Sequence, residues 1–313
     1  MSNQPLLSIV IPALNEEDNV IPLFQEVAKV CRDHNYSFEV IFVNDGSTDQ
    51  TLGRLKTLKP IKIINFRKRS GQTAAMDAGI KNSTGKIIIT MDADRQNDPN
   101  DIPKLLNKLA EGYDVVSGWR KNRKDPFFKK FTSRGANLLR KILVDDGIQD
   151  SGCTLKAYKR ECFEQVDLYG EMHRFIPAIL KWRGFKIGEI VVNHRARTAG
   201  QTKYNVSRTI KGFVDMISLW FWRKYFNRPL HLFGGVGLFV ILLGFIAGFG
   251  MLYDRWILGH DLSNTALTTF SVFLILFGTQ LFVSGLMIDL QIKNYHRIGR
   301  ENPYLIKDII ENQ

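Results

Sequence analysis

The stretch from Lys86 to Gln96, KIIITMDADRQ, decides how this chain folds. Its first half holds Ile87, Ile88 and Ile89 in succession, the uninterrupted β-branched run of a strand covered on both faces. Its second half turns abruptly polar, with Asp92 and Asp94 on either side of Ala93. Residues two apart in extended chain point the same way, so both carboxylates can converge on one point where the strand leaves the sheet. A pair of aspartates alone also suits a solvated turn, so the surroundings have to decide.

Working outward, LLSIVIPAL (6–14), FEVIFVND (38–45), IKIINF (61–66) and YDVVSGW (113–119) are likewise short, rich in Ile and Val, and bounded by turn residues. Between them VIPLFQEVAKVCRD (20–33), TLGRLKTL (51–58), TAAMDAGIKN (73–82) and DIPKLLNKLAEG (101–112) have helical spacing. This alternation predicts an α/β domain, Rossmann-like, with a mostly parallel sheet covered by helices on both faces. Ligands of such sheets sit beyond the carboxyl ends of the strands. Those ends carry Pro12 to Glu17, Asn44 to Asp49, and Asp92 to Gln96. Two common nucleotide signatures do not fit. No GxGxxG follows a strand, and GIKNSTGK (79–86) is one residue too long for a P-loop, with Ile87 where Ser or Thr would hold magnesium. The carboxylate cluster instead suits a hard cation, Mg2+ or Mn2+, that keeps waters and takes up diphosphate oxygens.

The 313 residues allow one domain of ordinary size and a further segment. That segment contains two uncharged apolar runs, Leu230 to Tyr253 and Ala266 to Ile288. Each exceeds the roughly 20 residues that cross a bilayer, and a buried core helix is usually shorter and carries a polar stripe. Arg223, Lys224 and Arg228 precede the first run, and Lys293, Arg297 and Arg300 follow the second. Positive residues stay on the cytoplasmic side, so both termini are expected there with a short external hairpin between. The N-terminal MSNQPLLSIVIPALNEE has neither the basic start nor the cleavage site of a signal peptide. Cys31, Cys153 and Cys162 form no CxxC and read as reduced thiols. The net charge of +12 raises nucleic acid as a partner. However, the basic residues of 120–141 and 195–224 are mixed with Phe, Leu and Trp, which fits an anionic lipid surface better than base stacking.

Together SIVIPALNEEDNV, VNDGSTDQT, GQTAAMDAG, MDADRQNDP and HRARTAGQTKY resemble glycosyltransferase family 2, which has the GT-A fold, and within it the polyprenyl-phosphate glycosyltransferases. The resemblance runs from about Ser8 to Lys203, and the two-span tail matches the bacterial members. It implies an inverting transfer of a sugar from a nucleotide-sugar donor, a UDP-sugar by similarity to that subgroup, to undecaprenyl phosphate at the bacterial inner membrane. It implies that Pro12, Leu14 and Glu16 line the nucleobase and ribose pocket and that Asp45 holds base or ribose. Asp92, Ala93 and Asp94 would meet the ribose-diphosphate, with Asp94 and Gln96 at the metal. Arg120 matches a donor-phosphate arginine, and Asp150 an acidic residue near the reacting centre. Arg197 and Lys203 match a basic pair facing the phosphates.

The expected division is a catalytic domain over 1–205 with an interfacial segment at 126–143, where Arg134 would meet the acceptor phosphate. A juxtamembrane segment over 206–229, two helices at about 230–253 and 266–290, and a tail over 291–313 follow. The glycines of the first run suit close helix contact and a homo-oligomer. Two rivals stand beside this reading. A processive polysaccharide synthase would carry QxxRW, whereas Trp182 and Arg183 here lack a Gln three residues before them. A nonenzymatic membrane adaptor would not need the intact DADRQ cluster.

Overall fold

The computed structural model describes residues 5–121, 147–195 apart from 165 and 169, 220–221, 224–225, 229–257, 265–298 and 306–312. The expected strands form as β1 (Leu7–Ala13), β2 (Phe38–Asn44), β3 (Ile61–Phe66), β4 (Ile87–Thr90) and β5 (Val115–Trp119). The helices between them are α1 (Val20–Asp33), α2 (Thr51–Leu55), α3 (Gln72–Lys81) and α4 (Ile102–Ala110). Beyond these come β6 (Lys156–Lys159), α5 (Ile176–Trp182), β7 (Ile187–Val191), α6 (Pro229–Ile257), α7 (Thr265–Ile298) and β8 (Ile306–Asn312). The chain divides into two compact units, one of residues 1–216 with 302–313 and one of residues 217–301.

In the first unit the strands lie in the order β7-β5-β6-β4-β1-β2-β3-β8. The centre, β4-β1-β2-β3, is parallel, whereas β6 runs antiparallel to both β4 and β5, and β8 antiparallel to β3. The sheet is therefore mixed, with a parallel heart. Alternation along each strand builds two cores. Leu7, Ile9, Ile11, Val40, Phe42 and Ile63 face α1, α2 and α4. Val10, Ile41, Val43, Ile64 and Ile88 face α3 and α5. Burial on both faces explains why these strands read as continuous apolar runs. The three cysteines are free and buried. Burial pushes the Cys31 thiol up to about 12, so it stays protonated and unreactive.

Within residues 291–313, expected as a tail, two regular elements form. Helix α7 runs on to Ile298, and β8 pairs with β3 from Ile61 opposite Asn312 to Phe66 opposite Ile306. Lys62 reinforces this edge with an ion pair to Glu311 at 2.8 Å. The backbone of β3 supplies the unpaired edge that the sequence IKDIIEN completes.

In the second unit, α6 and α7 are long and apolar enough to cross a membrane. A Cβ added at Gly237 would lie 2.6 Å from the carbonyl of Gly278, so the two backbones meet there only because both residues are glycine. Ser271 donates its hydroxyl to the Gly244 carbonyl at 2.8 Å, satisfying a polar group that hydrocarbon would not. Much of the glycine stripe is thus used within the chain, whereas Gly235 and Gly250 face open space. The outer faces present Phe249 at 67% and Leu276 at 65% exposure, burial that water-facing packing leaves undone.

Candidate active site

The parallel centre brings the polar ends of β1, β2 and β4 to one edge. The β1 and β2 loops are laced together by backbone donors: Asn15 N–H to Ser47 Oγ at 3.0 Å, Thr48 N–H to Asn15 Oδ1 at 2.9 Å, and Glu16 N–H to Thr51 Oγ1 at 2.9 Å. Pro12, Leu14 and Glu16 line this region half-buried, and Glu16 accepts from Asn19 Nδ2 at 2.6 Å. Gly46 sits at φ +68°, and a Cβ there would come within 2.6 Å of the Arg69 nitrogen. Only glycine lets the β2 loop pass so close to the loop before α3. That approach places the Asp45 carboxylate on the N–H groups of Ser70, at 2.6 Å, and Gly71, at 3.0 Å. Burial pushes the Asp45 carboxyl up, against the pull of those two donors and of Arg69. Asp45 therefore shapes the start of α3.

Beyond β4 stand Asp92, Ala93 and Asp94, the last two buried. Asp92 accepts from Gln72 Nε2, on the first turn of α3, at 2.7 Å. Burial, and then the facing Asp94 charge, raise the Asp92 carboxyl to about 6, against a hydrogen bond from Thr154 and the charges of Arg120 and Lys156. Two carboxylates crowded in this way form an oxygen donor pair that a hard cation would relieve. Asp94 accepts from the Gln96 N–H at 3.1 Å, which closes the turn and sets Gln96 beside it. Arg95 between them adopts φ +59°, a left-handed conformation uncommon for a long side chain, and reaches Glu26 of α1 at 2.6 Å.

On the other flank Arg120, just past β5, grips Asp150 through Nε at 2.7 Å and Nη2 at 2.9 Å. Such two-point pairing fixes orientation as well as charge. Despite burial, the guanidinium holds the Asp150 carboxyl below the ordinary carboxylate range, so it stays ionised.

The structure also assembles residues that sequence reasoning did not single out. Gln72 and Thr154 both hold Asp92. Arg195 joins Glu26 at 2.5 Å and Asp98 at 2.6 Å, and its N–H donates to the Gln96 carbonyl at 2.9 Å, fastening residues 193–195 to the DADRQ turn. The quoted motif HRARTAGQTKY contained Arg195, but its partners lie 97 and 169 residues away. Arg134, Arg197, Lys203 and the segment 126–143 lie outside the described residues.

The chain is similar to known proteins along most of its length. Residues 8–167 match the glycosyl transferase family 2 description. The chain belongs to glycosyltransferase family 2. It is 38% identical to the dodecaprenyl-phosphate galacturonate synthase of Rhizobium johnstonii, over 98% of this chain and 94% of that protein. It is 30% identical to the undecaprenyl-phosphate 4-deoxy-4-formamido-L-arabinose transferase of Pseudomonas fluorescens, over 98% of this chain and 90% of that one. Among solved structures, the glucosyl-3-phosphoglycerate synthase of Mycobacterium tuberculosis in complex with Mn2+, UDP and glucosyl-3-phosphoglycerate superimposes with a TM-score of 0.56. That match has 18% identity and covers 70% of this chain and 80% of that one. The fold is that of GT-A glycosyltransferases, and the family assignment makes the chain a glycosyltransferase.

Proposed function

We propose that this enzyme transfers a sugar from a nucleotide-sugar, a UDP-sugar, to a polyprenyl phosphate such as undecaprenyl phosphate, giving a polyprenyl-phosphate-linked monosaccharide for the cell envelope. The observation that carries this reading is the joining, in one chain, of strand-end carboxylates beside an Arg120–Asp150 pair to two helices whose apolar side chains are exposed. The relatives' names, each containing a polyprenyl phosphate, support the same acceptor.

In this reading an acceptor phosphate oxygen attacks the anomeric carbon as the bond to the donor diphosphate breaks, and the nucleoside diphosphate leaves with that electron pair. A polyprenyl phosphate is already ionised near neutral pH, so no proton has to be removed, and positioning and charge neutralisation dominate. Asp150, ionised and held at both oxygens by Arg120, suits an orienting role rather than that of a base. Arg120, Arg197 and Lys203 are assigned to the donor phosphates, Arg134 to the acceptor phosphate, and Pro12, Leu14, Glu16, Asp45, Asp92 and Ala93 to the nucleotide. Asp94, with Gln96, is assigned to a divalent cation, Mg2+ or Mn2+, for which the crowded Asp92–Asp94 pair is chemically apt. Such a cation, when bound, supplies neutralisation of the leaving diphosphate. A single displacement inverts the anomeric configuration, which NMR of the product checks.

The domain boundaries given above are retained in this proposal, except that β8 returns the tail to the catalytic sheet. The sheet contains chain from both before α6 and after α7, which supports an even number of membrane crossings between them and so both flanks on one side. The positive flanks, Arg223, Lys224 and Arg228 before and Lys293, Arg297 and Arg300 after, favour the cytoplasmic side for both. A cysteine placed at Ser263 should label from outside intact cells and one at Gln313 should not; the reverse pattern sinks the topology. Gly235 and Gly250, open in the single chain, are available to a second copy in a homo-oligomer. The reaction itself is tested by incubating the purified protein with undecaprenyl phosphate and a panel of nucleotide sugars, then weighing the lipid product. One added sugar supports the proposal, and no glycolipid from any donor overturns it.

A further inference from the structure

One buried charge in the catalytic domain has no place in the assignments above. Lys156, the first residue of β6, is 2% exposed. Its neighbours Leu155 and Ala157 pack into the first core, as an ordinary central strand would require. Lys156 itself pairs in register with Thr90 of β4 on one side and Ser117 of β5 on the other. Those two strands lead, two or three residues on, to Asp92 and Arg120. An ammonium here costs several kcal/mol to desolvate unless it is well paired, so an apolar residue would be the cheaper choice for stability alone.

What the ammonium holds is the turn that carries Asp150. It donates to the carbonyls of Ser151, at 3.3 Å, and of Cys153. At the other end of the segment, Glu189 of β7 accepts the N–H groups of Gln149, at 2.8 Å, and Asp150, at 3.1 Å. Lys156 thus takes carbonyls of residues 151–153 and Glu189 the N–H groups of 149–150, so the turn is held at both ends. Its next residue, Thr154, donates to Asp92 and accepts from Asn97 Nδ2 at 2.9 Å, which ties the same segment to the DADRQ turn.

We propose that Lys156 is a positioning residue for the transfer: from beneath the turn at 150–153 it fixes Asp150, and through it Arg120, relative to the Asp92 carboxylate. This rests on the reaction proposed above and assigns to it a residue that touches neither substrate.

Full-length protein in detergent tests it with three variants, each with its melting temperature recorded. Lys156→Met removes both charge and donors, Lys156→Gln keeps N–H donors without charge, and Lys156→Arg keeps both. Misplacing a catalytic group by about 1 Å costs on the order of 100-fold, so kcat of Lys156→Met should fall by about that factor while the donor KM changes less. Lys156→Arg should recover most of it. If Lys156→Met fails to fold, the comparison of Lys156→Gln with Lys156→Arg carries the test, with the Arg variant the faster. A lowered melting temperature with kcat unchanged well below it overturns the proposal, as does equal loss in folded Arg and Gln variants. Wild-type protein that makes no glycolipid overturns the reaction instead. The positioning claim is then read from UDP affinity in Mn2+, which should weaken about 10-fold in Lys156→Gln as the displaced Arg120 loses one charge-assisted hydrogen bond to the diphosphate; an unchanged affinity overturns it.

Discussion

The two units of this chain solve burial in opposite ways. In the sheet unit, apolar side chains are packed on both faces and the polar groups gather at strand ends, where each buried charge has a partner. In the helix unit Gly237, Gly244, Gly278 and Ser271 face inward, and Phe249, Leu276 and Met287 face outward. The hydrophobic effect cannot favour the second arrangement in water; it does so when the solvent is lipid. On the proposed function, the first unit would handle a charged, water-soluble donor and the second would reach an acceptor whose tail is hydrocarbon.

The largest effect should come from the strand-end carboxylates. Asp94→Ala should lower turnover by at least about 1000-fold, a few kcal/mol of lost charge stabilisation, with the melting temperature little changed. Wild-type rates in the variant, or in EDTA, would remove the cation from the account. Next, Lys203→Ala should lower kcat about 100-fold while donor affinity moves less, because neutralising the leaving group matters most in the transition state. Single-turnover rates at saturating donor and acceptor distinguish this from simple lipid anchoring, which would leave the rate in detergent intact.

A third test turns on the solvent of the helix unit. Leu242 is 55% exposed on α6. In water Leu242→Lys would change stability by about 0.5 kcal/mol or less, whereas near the middle of a bilayer it costs about 2.5–3.5 kcal/mol on insertion scales. The protein should shift out of the membrane fraction; unchanged membrane recovery would argue for another partner on that face.

The smallest effect concerns His173, buried with its Nδ1 2.7 Å from Thr73 Oγ1. Burial, with Arg174 and Lys156 nearby, lowers its pKa to about 3. The folded value lies below the unfolded one of about 6.5, so unfolding takes up a proton at lower pH. Its contribution to stability is complete above about pH 6.5 and is lost as pH falls toward 3. His173→Asn should flatten that part of the stability profile in thermal unfolding; an unaltered slope would assign the pH dependence elsewhere.

Much of this contrast is legible in the sequence. Five strands and the four helices among them read from periodicity, because burial on both faces leaves long Ile and Val runs such as Ile87 to Ile89. Asp45, Asp92 and Asp94 read from their place at strand ends. The other strands did not. Lys156 to Lys159 is four residues with a lysine at either end, and β8 is an edge strand that follows two helices, so neither carries an apolar run. The supporting residues were hidden for a different reason. Gln72 meets Asp92 across 20 positions, and Thr73 meets His173 across 100, contacts that only the folded topology creates. Asp150 was legible only through the family resemblance, and its pairing with Arg120, 30 positions away, is again a contact of the folded topology.

The central claim is that the nucleophile arrives as a ready-made anion, so the site needs charge and position rather than a base. The most direct measurement gives the wild-type enzyme one donor and either a polyprenyl phosphate or the corresponding polyprenol, and compares initial rates of glycolipid formation. The account predicts product from the phosphate and none from the alcohol. Glycosylation of the alcohol at a comparable rate would contradict it.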